Sequence, residues 1–209
     1  MRLMVFDLDT ALCQASTMDG LAMASAIQDL TERSISPESI HSISDFKSIW
    51  YQATGVLPSA SELKALRERF AFHLRRQFII RPSVVSANYP MIDVVNRLQN
   101  HPETAVALVS AASESAVALK VRAIGLQCDA LPIATGDDSD HADGLLKVVQ
   151  VRVRRGFGFR FDQATLVAGS EWQPAADRHK MELYSPAKFA THYVKAPRSN
   201  LFKRARLGA

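Results

Sequence analysis

The stretch Leu3-Met-Val-Phe-Asp-Leu-Asp-Thr-Ala-Leu12 joins an apolar run to two aspartates one residue apart. Four consecutive apolar residues have the pattern of a short strand buried on both faces. On an extended chain alternate side chains share a face, so Asp7 and Asp9 point the same way. Two carboxylates so placed repel unless a cation or a phosphate network holds them. A lone Asp-x-Asp is common in turns. Its place directly after an apolar strand is what sets this one apart.

Outward from this strand the chain changes texture twice. Residues 20–33 carry alanine and leucine at helical spacing. Ser36 and Pro37 open a further short helix, and Asp45 is placed to cap residues 46–54, which stop at Gly55. Ser59-Ala-Ser-Glu62 is a capping-box pattern ahead of residues 63–78. Arg81-Pro82 breaks that helix. Residues 15–80 therefore read as all-helical.

From Tyr89 strands and helices alternate. Pro90 opens a helix ending near Asn100, and residues 104–109 are an apolar strand. Ser113 caps a helix that Gly125 ends. Residues 130–134 form a third strand. A loop with four aspartates spans 136–143, and a helix over 145–155 closes at Gly156. Residues 165–168 form a fourth strand, and a fifth is read over 187–194. Such alternation predicts an α/β fold with a parallel sheet wrapped by helices and right-handed crossovers. The core domain is then 1–14 and 83–209, with 15–82 inserted as a helical unit.

The 209 residues are 47% hydrophobic and 22% charged, ordinary globular usage that excludes a disordered chain. Cys13 and Cys128 are too few for a disulfide framework and fit a reducing compartment. Residues 1–12 are apolar too briefly for a leader, and no run approaches a membrane span, so a cytoplasmic protein is expected. The net charge of +4 permits anionic partners without demanding nucleic acid. The arginines at 67, 69, 75, 76 and 81, those at 152, 154 and 155, and the basic end at Lys203, Arg204 and Arg206 read as solvated helix faces and a frayed tail.

Open parallel sheets bind ligands at the carboxyl ends of their strands. The first strand delivers Asp7 and Asp9 there, the second delivers Ser110, and the fourth delivers Gly169, Ser170 and Glu171. Lys147 lies in the helix before the fourth strand. Mg2+ prefers oxygen ligands and would hold the two aspartates together. One aspartate can attack phosphorus, and the other can protonate the leaving oxygen and later activate water. Ser110 and Lys147 would hold the phosphoryl oxygens.

Phe6-Asp-Leu-Asp-Thr-Ala-Leu12 resembles the first motif of the haloacid dehalogenase superfamily, usually Asp-x-Asp-Gly-Thr-Leu. Val106-Ala-Leu-Val-Ser110 resembles the second, an apolar strand ending in Ser or Thr. Lys147 is the nearest candidate for the third, a basic residue near a helix start. Leu166-Val-Ala-Gly-Ser-Glu171 has the shape of the fourth. The resemblance spans roughly residues 3–176. It implies a Rossmann-like core with a helical cap of the phosphoglycolate phosphatase type. It also implies phosphatase chemistry on a small phosphorylated metabolite through an aspartyl-phosphate. The fourth motif is degenerate. Its aspartate is Ser170 here and its later acid falls near Pro174, leaving Glu171 or Asp177 as replacements. Asp7, Asp9 and Glu171 are thus the implied ligands of a weakly held Mg2+.

A second class of function fits the same residues: a fold that has lost catalysis and binds a partner or a phosphorylated ligand. Dehalogenation needs an aspartate nucleophile and no metal, but Asp9 argues for phosphate chemistry instead. The loop 137–143 lacks Ca2+-loop spacing and reads as a solvated acidic loop that caps the next helix. Cys13 reads as a small buried residue. Trp50, Tyr51, Phe70, Phe72 and Phe78 read as core of the helical unit. His141 and His179 have no zinc spacing.

Overall fold

The computed structural model describes residues 1–14, 16–40, 45–81, 86–128, 130–158 and 161–194. The apolar run after Met1 forms β1 (Arg2–Asp7), the middle strand of a five-stranded parallel sheet. The wide helical turn Leu8–Leu12 follows, then β2 (Cys13–Gln14). Three helices come next: α1 (Ser16–Thr31), α2 (Phe46–Thr54) and α3 (Ala60–Ile80). The chain returns through β3 (Ser86–Ala87), which pairs antiparallel with β2. The two crossings between sheet domain and helical insertion are thereby tied into one ribbon. The insertion's expected limits, Ala15 and Pro82, lie outside the described residues, as does the basic end at Lys203, Arg204 and Arg206.

After α4 (Tyr89–Gln99) come β4 (Thr104–Val109), α5 (Glu114–Ala123), β5 (Ile133–Ala134), α6 (Ala142–Phe157) and β6 (Gln163–Val167). Then follow α7 (Gln173–Arg178), β7 (Glu182–Tyr184) and α8 (Pro186–Phe189). The sheet order is β5-β4-β1-β6-β7, so the first strand sits in the middle and receives β4 and β6 on its two sides.

Period-two alternation divides the strands between two apolar layers. Leu3 and Val5 join Ala105, Ala107 and Val109 against Leu145, Leu146, Val149 and Trp172 of the α6–α7 face. Met4, Phe6, Val106 and Leu108 join Met91, Val95, Val117 and Val121 of α4 and α5. That second layer continues without a break into Met18, Ala22, Phe70 and Leu74 of the insertion. The insertion therefore shares its core with the sheet domain.

Most of the helix punctuation is where the sequence places it, but α6 runs through Gly156 and ends at Gly158, at φ 68°. Asp45 caps α2 by accepting from Ser48 N, and Gly55 ends it at φ 79°. Ser59 and Glu62 form both halves of the capping box on α3. The fifth strand does not lie over 187–194, which is helical. Ser185 caps α8 and Pro186, with its φ preset, starts it. The fifth place in the sheet goes to β7, paired with β6 through Thr165–Glu182, Leu166–Leu183 and Val167–Tyr184. Phe189 is instead a core residue, edge-on to Phe6 at 5.5 Å. Among the described residues no helix is long and apolar enough to cross a membrane.

Gly136 locks the β5 loop onto the sheet's carboxyl edge. Its N–H donates to Ala112 O at 2.7 Å. A Cβ there would lie 2.1 Å from Ala111 O and 2.7 Å from Arg67 Nε. Gly136→Ala should destabilise the protein by about 1–3 kcal/mol, the usual range for forced overpacking. A lowered midpoint in denaturant unfolding with an unchanged slope checks this, and an unchanged midpoint would contradict the packing.

Candidate active site

Asp7 is the last residue of β1, and the register sets it opposite Val109, the residue before Ser110. Both therefore reach the same carboxyl edge of the sheet. The turn Leu8–Leu12 then folds the chain back, so Asp7 acts as its cap. Asp7 accepts from Asp9 N at 3.4 Å and from Thr10 Oγ1 at 2.7 Å. Asp7 is buried, with only 1% of its surface exposed.

Asp9 is gripped on both oxygens. Ser110 Oγ donates to its Oδ2 at 2.6 Å, and Lys120 Nζ donates to its Oδ1 at 2.6 Å. Ser110 is itself fixed, its N–H on Ala134 O at 3.0 Å and its Oγ accepting from Ala112 N at 3.1 Å. Lys120 continues to Asp19 Oδ2 of α1 at 2.8 Å. The lysine side chain is 0% exposed and lies 5.8 Å from the centre of the Phe70 ring.

Burial disfavours an ammonium, but Asp19 and Asp9 outweigh it and hold the Lys120 pKa above its ordinary value. Burial raises Asp19 to about 6, against the pull of Lys120. Asp7 has no such cation among the described residues. Burial first, then the Asp9 and Glu171 charges, push it up to about 8, against the Thr10 hydrogen bond.

Around this centre the acidic loop is exposed, as expected, and its carboxylates are also paired. Asp137 accepts from Glu114 N at 2.8 Å, so the helix it caps is α5. His141, the first flank of α6, makes no side-chain cap. Asp138 takes Arg152 at 2.6 Å, and Asp143 takes Arg178 at 2.7 Å. Asp140 takes Arg67 at 2.9 Å and Lys47 at 3.6 Å, both from the insertion. The loop thus braces the helical insertion against the sheet's carboxyl edge.

No protein-family model and no curated protein matches the sequence. Solved structures do match. A hydrolase from Pseudomonas syringae is 17% identical, aligned over 98% of this chain and 90% of its own, with a TM-score of 0.68. A haloacid dehalogenase-like family hydrolase from Streptococcus pneumoniae is 12% identical over 88% of this chain and 83% of its own, with a TM-score of 0.62. A predicted phosphoglycolate phosphatase from Haemophilus somnus is 17% identical over 88% and 84%, with a TM-score of 0.61. The fold is that of the haloacid dehalogenase-like hydrolases.

Within this haloacid dehalogenase-like fold the structure brings together Asp7, Asp9 and Ser110. Lys147 is elsewhere. The buried stripe of α6 is Leu145, Leu146, Val149 and Val153, and Lys147 is exposed, two residues round the helix from Leu145. The basic residue at the aspartates is Lys120. Its signal was in the sequence: it occupies the apolar stripe Ala116, Val117, Lys120, Val121 of α5. Asp19 likewise sits in the stripe Met18, Ala22, Met23, Ala26 and Ile27 of α1. A charged residue inside an apolar stripe needs a buried partner, and these two are partners of each other.

The donor set does not fit a resident Mg2+. That ion demands near-octahedral oxygen ligation. Both Asp9 oxygens are already committed, Ser170 is exposed and neutral, and Pro174 has no donor. Glu171 is exposed, and its charge is felt at Asp7. Even so, among the described residues no group of three or more His, Cys, Asp or Glu side chains is arranged to hold a metal ion.

Asp7 makes stability depend on pH. Its folded pKa, about 8, lies above the ordinary 3.8. The stability linked to its proton is complete below about pH 4 and is lost as pH rises through 8. Asn cannot ionise, so Asp7→Asn should gain stability relative to wild type between those limits and level off above. The gain is on the order of a few kcal/mol. Melting curves of both proteins in metal-free buffer read it, and a constant gap across pH would refute it.

Proposed function

We propose that this protein hydrolyses a small phosphorylated metabolite through a phosphoryl-aspartate at Asp7. The observation that carries this reading is the meeting of Asp7 with a fully hydrogen-bonded Asp9 and Ser110 at the carboxyl edge of a parallel sheet. An Asp7 oxygen forms the new bond to phosphorus while the P–O ester bond breaks, the leaving oxygen taking a proton from water. Water then attacks the acyl phosphate, releasing inorganic phosphate and restoring Asp7. Asp9 is held where it can take the proton of that water. Ser110 and Lys120 fix Asp9 in place by donating to its two oxygens. The insertion, braced through Arg67 and Asp140, covers that edge and would exclude bulk water during the reaction.

Turnover of a generic phosphomonoester tests the reading. The rate should be slow and should climb with pH through about 8, where Asp7 is half ionised and the rate half-maximal, levelling off above. Asp7→Asn should fall to background, because an amide is no nucleophile. Ser110→Ala should lose about tenfold to a hundredfold by loosening Asp9. Hydrolysis that survives Asp7→Asn would refute the mechanism.

A second reading is favoured by one observation. Asp9 is so fully occupied, and the fourth-motif acids so incomplete, that the edge is suited to holding a phosphorylated ligand without turning it over. Under that reading the phosphomonoester binds with no release of phosphate.

A further inference from the structure

A divalent cation and a lysine ammonium meet the same need at paired carboxylates, namely positive charge at short range. Here the ammonium is built in. Lys120 Nζ lies 2.6 Å from Asp9 Oδ1 and 2.8 Å from Asp19 Oδ2, with no surface exposed to solvent. The second Asp9 oxygen is taken by Ser110. Among the described residues Asp19 Oδ1 is buried without a partner, so the ammonium, not a set of neutral donors, balances that carboxylate. The acids that would complete an oxygen cage are missing at Ser170 and Pro174.

We propose that Lys120 stands in the place of a divalent cation, as the resident countercharge of Asp9. It is held there from the other side by Asp19 of the insertion. The inference rests on reading Asp7 and Asp9 as the reacting pair, but not on whether they turn a substrate over. Lys120 acts through Asp9 and is a positioning residue. It enters from α5, the helix directly after the strand that ends at Ser110, and α1 supplies its second anchor. An ion entering at Asp9 would have to displace an ammonium that has no route to water.

Metal binding rather than catalysis tests this. Wild-type protein should melt at the same temperature in chelator and in about 10 mM Mg2+, and should give no saturable heat on Mg2+ titration. Lys120→Met keeps the length and apolar body of the side chain and removes its charge. It should lower the melting point, and Mg2+ should then raise it, with binding about tenfold or more tighter than in wild type. Lys147→Met, exposed on α6, should change neither quantity. Saturable millimolar or tighter Mg2+ binding by wild type overturns the proposal. So does a folded Lys120→Met that ignores Mg2+. The wild-type titration needs no variant, so it decides the matter even where Lys120→Met does not fold. Both readouts stand apart from phosphatase turnover. A protein without turnover but with this metal behaviour would refute the hydrolase reading alone.

Discussion

An ammonium with no path to water must be neutralised where it lies, and Lys120 is neutralised from two directions. Asp9 reaches it from the turn after the central strand and Asp19 from the first helix of the insertion. Removing one partner from such a buried pair costs about 3–5 kcal/mol, because the remaining charge is left uncompensated. The interaction therefore constrains three separate elements at once: the β1 turn, α1 and α5. It fixes the Asp9 carboxylate to within hydrogen-bond tolerance. It also fixes where the insertion sits, since α1 cannot leave without exposing or stranding a charge.

The sheet supplies the frame for this constraint. With β1 in the middle, its carboxyl end is flanked by those of β4 and β6. Asp7 and Ser110 then meet through register alone. The shared apolar layer under α4 and α5 runs on into the insertion, and the Arg67–Asp140 and Lys47–Asp140 pairs clamp the opposite side. These partly exposed pairs are screened by solvent and each adds little energy. Their service is orientation: they hold the acidic loop beside the edge where Gly136 packs against Ala111.

The two aspartates lie in unlike surroundings. Asp9 has a cation and a hydroxyl, while Asp7 has a hydroxyl and the negative charges of Asp9 and Glu171. In this protein Lys120 pairs with Asp9 and not with Asp7.

The sequence by itself determined the strand ending in Asp7, the helices with their caps at Asp45, Ser59 and Ser113, and the alternation that makes a parallel sheet. Those features are local, written in periodicity and in single capping side chains within a few residues. Ser110 was legible too, because it directly ends an apolar strand. Residues 187–194 read as a strand because apolar content alone does not separate a strand from a short buried helix; the Ser185-Pro186 start is the signal that does. Only the tertiary structure decided which lysine serves the site. Lys120 and Lys147 each lie in a helix beside a strand, and spacing favoured Lys147. What selects Lys120 is its place in the buried stripe of α5, opposite Asp19, a carboxylate 101 residues away in the chain. A pairing at that distance is set by how α1 and α5 both pack on α3, and no local pattern encodes it.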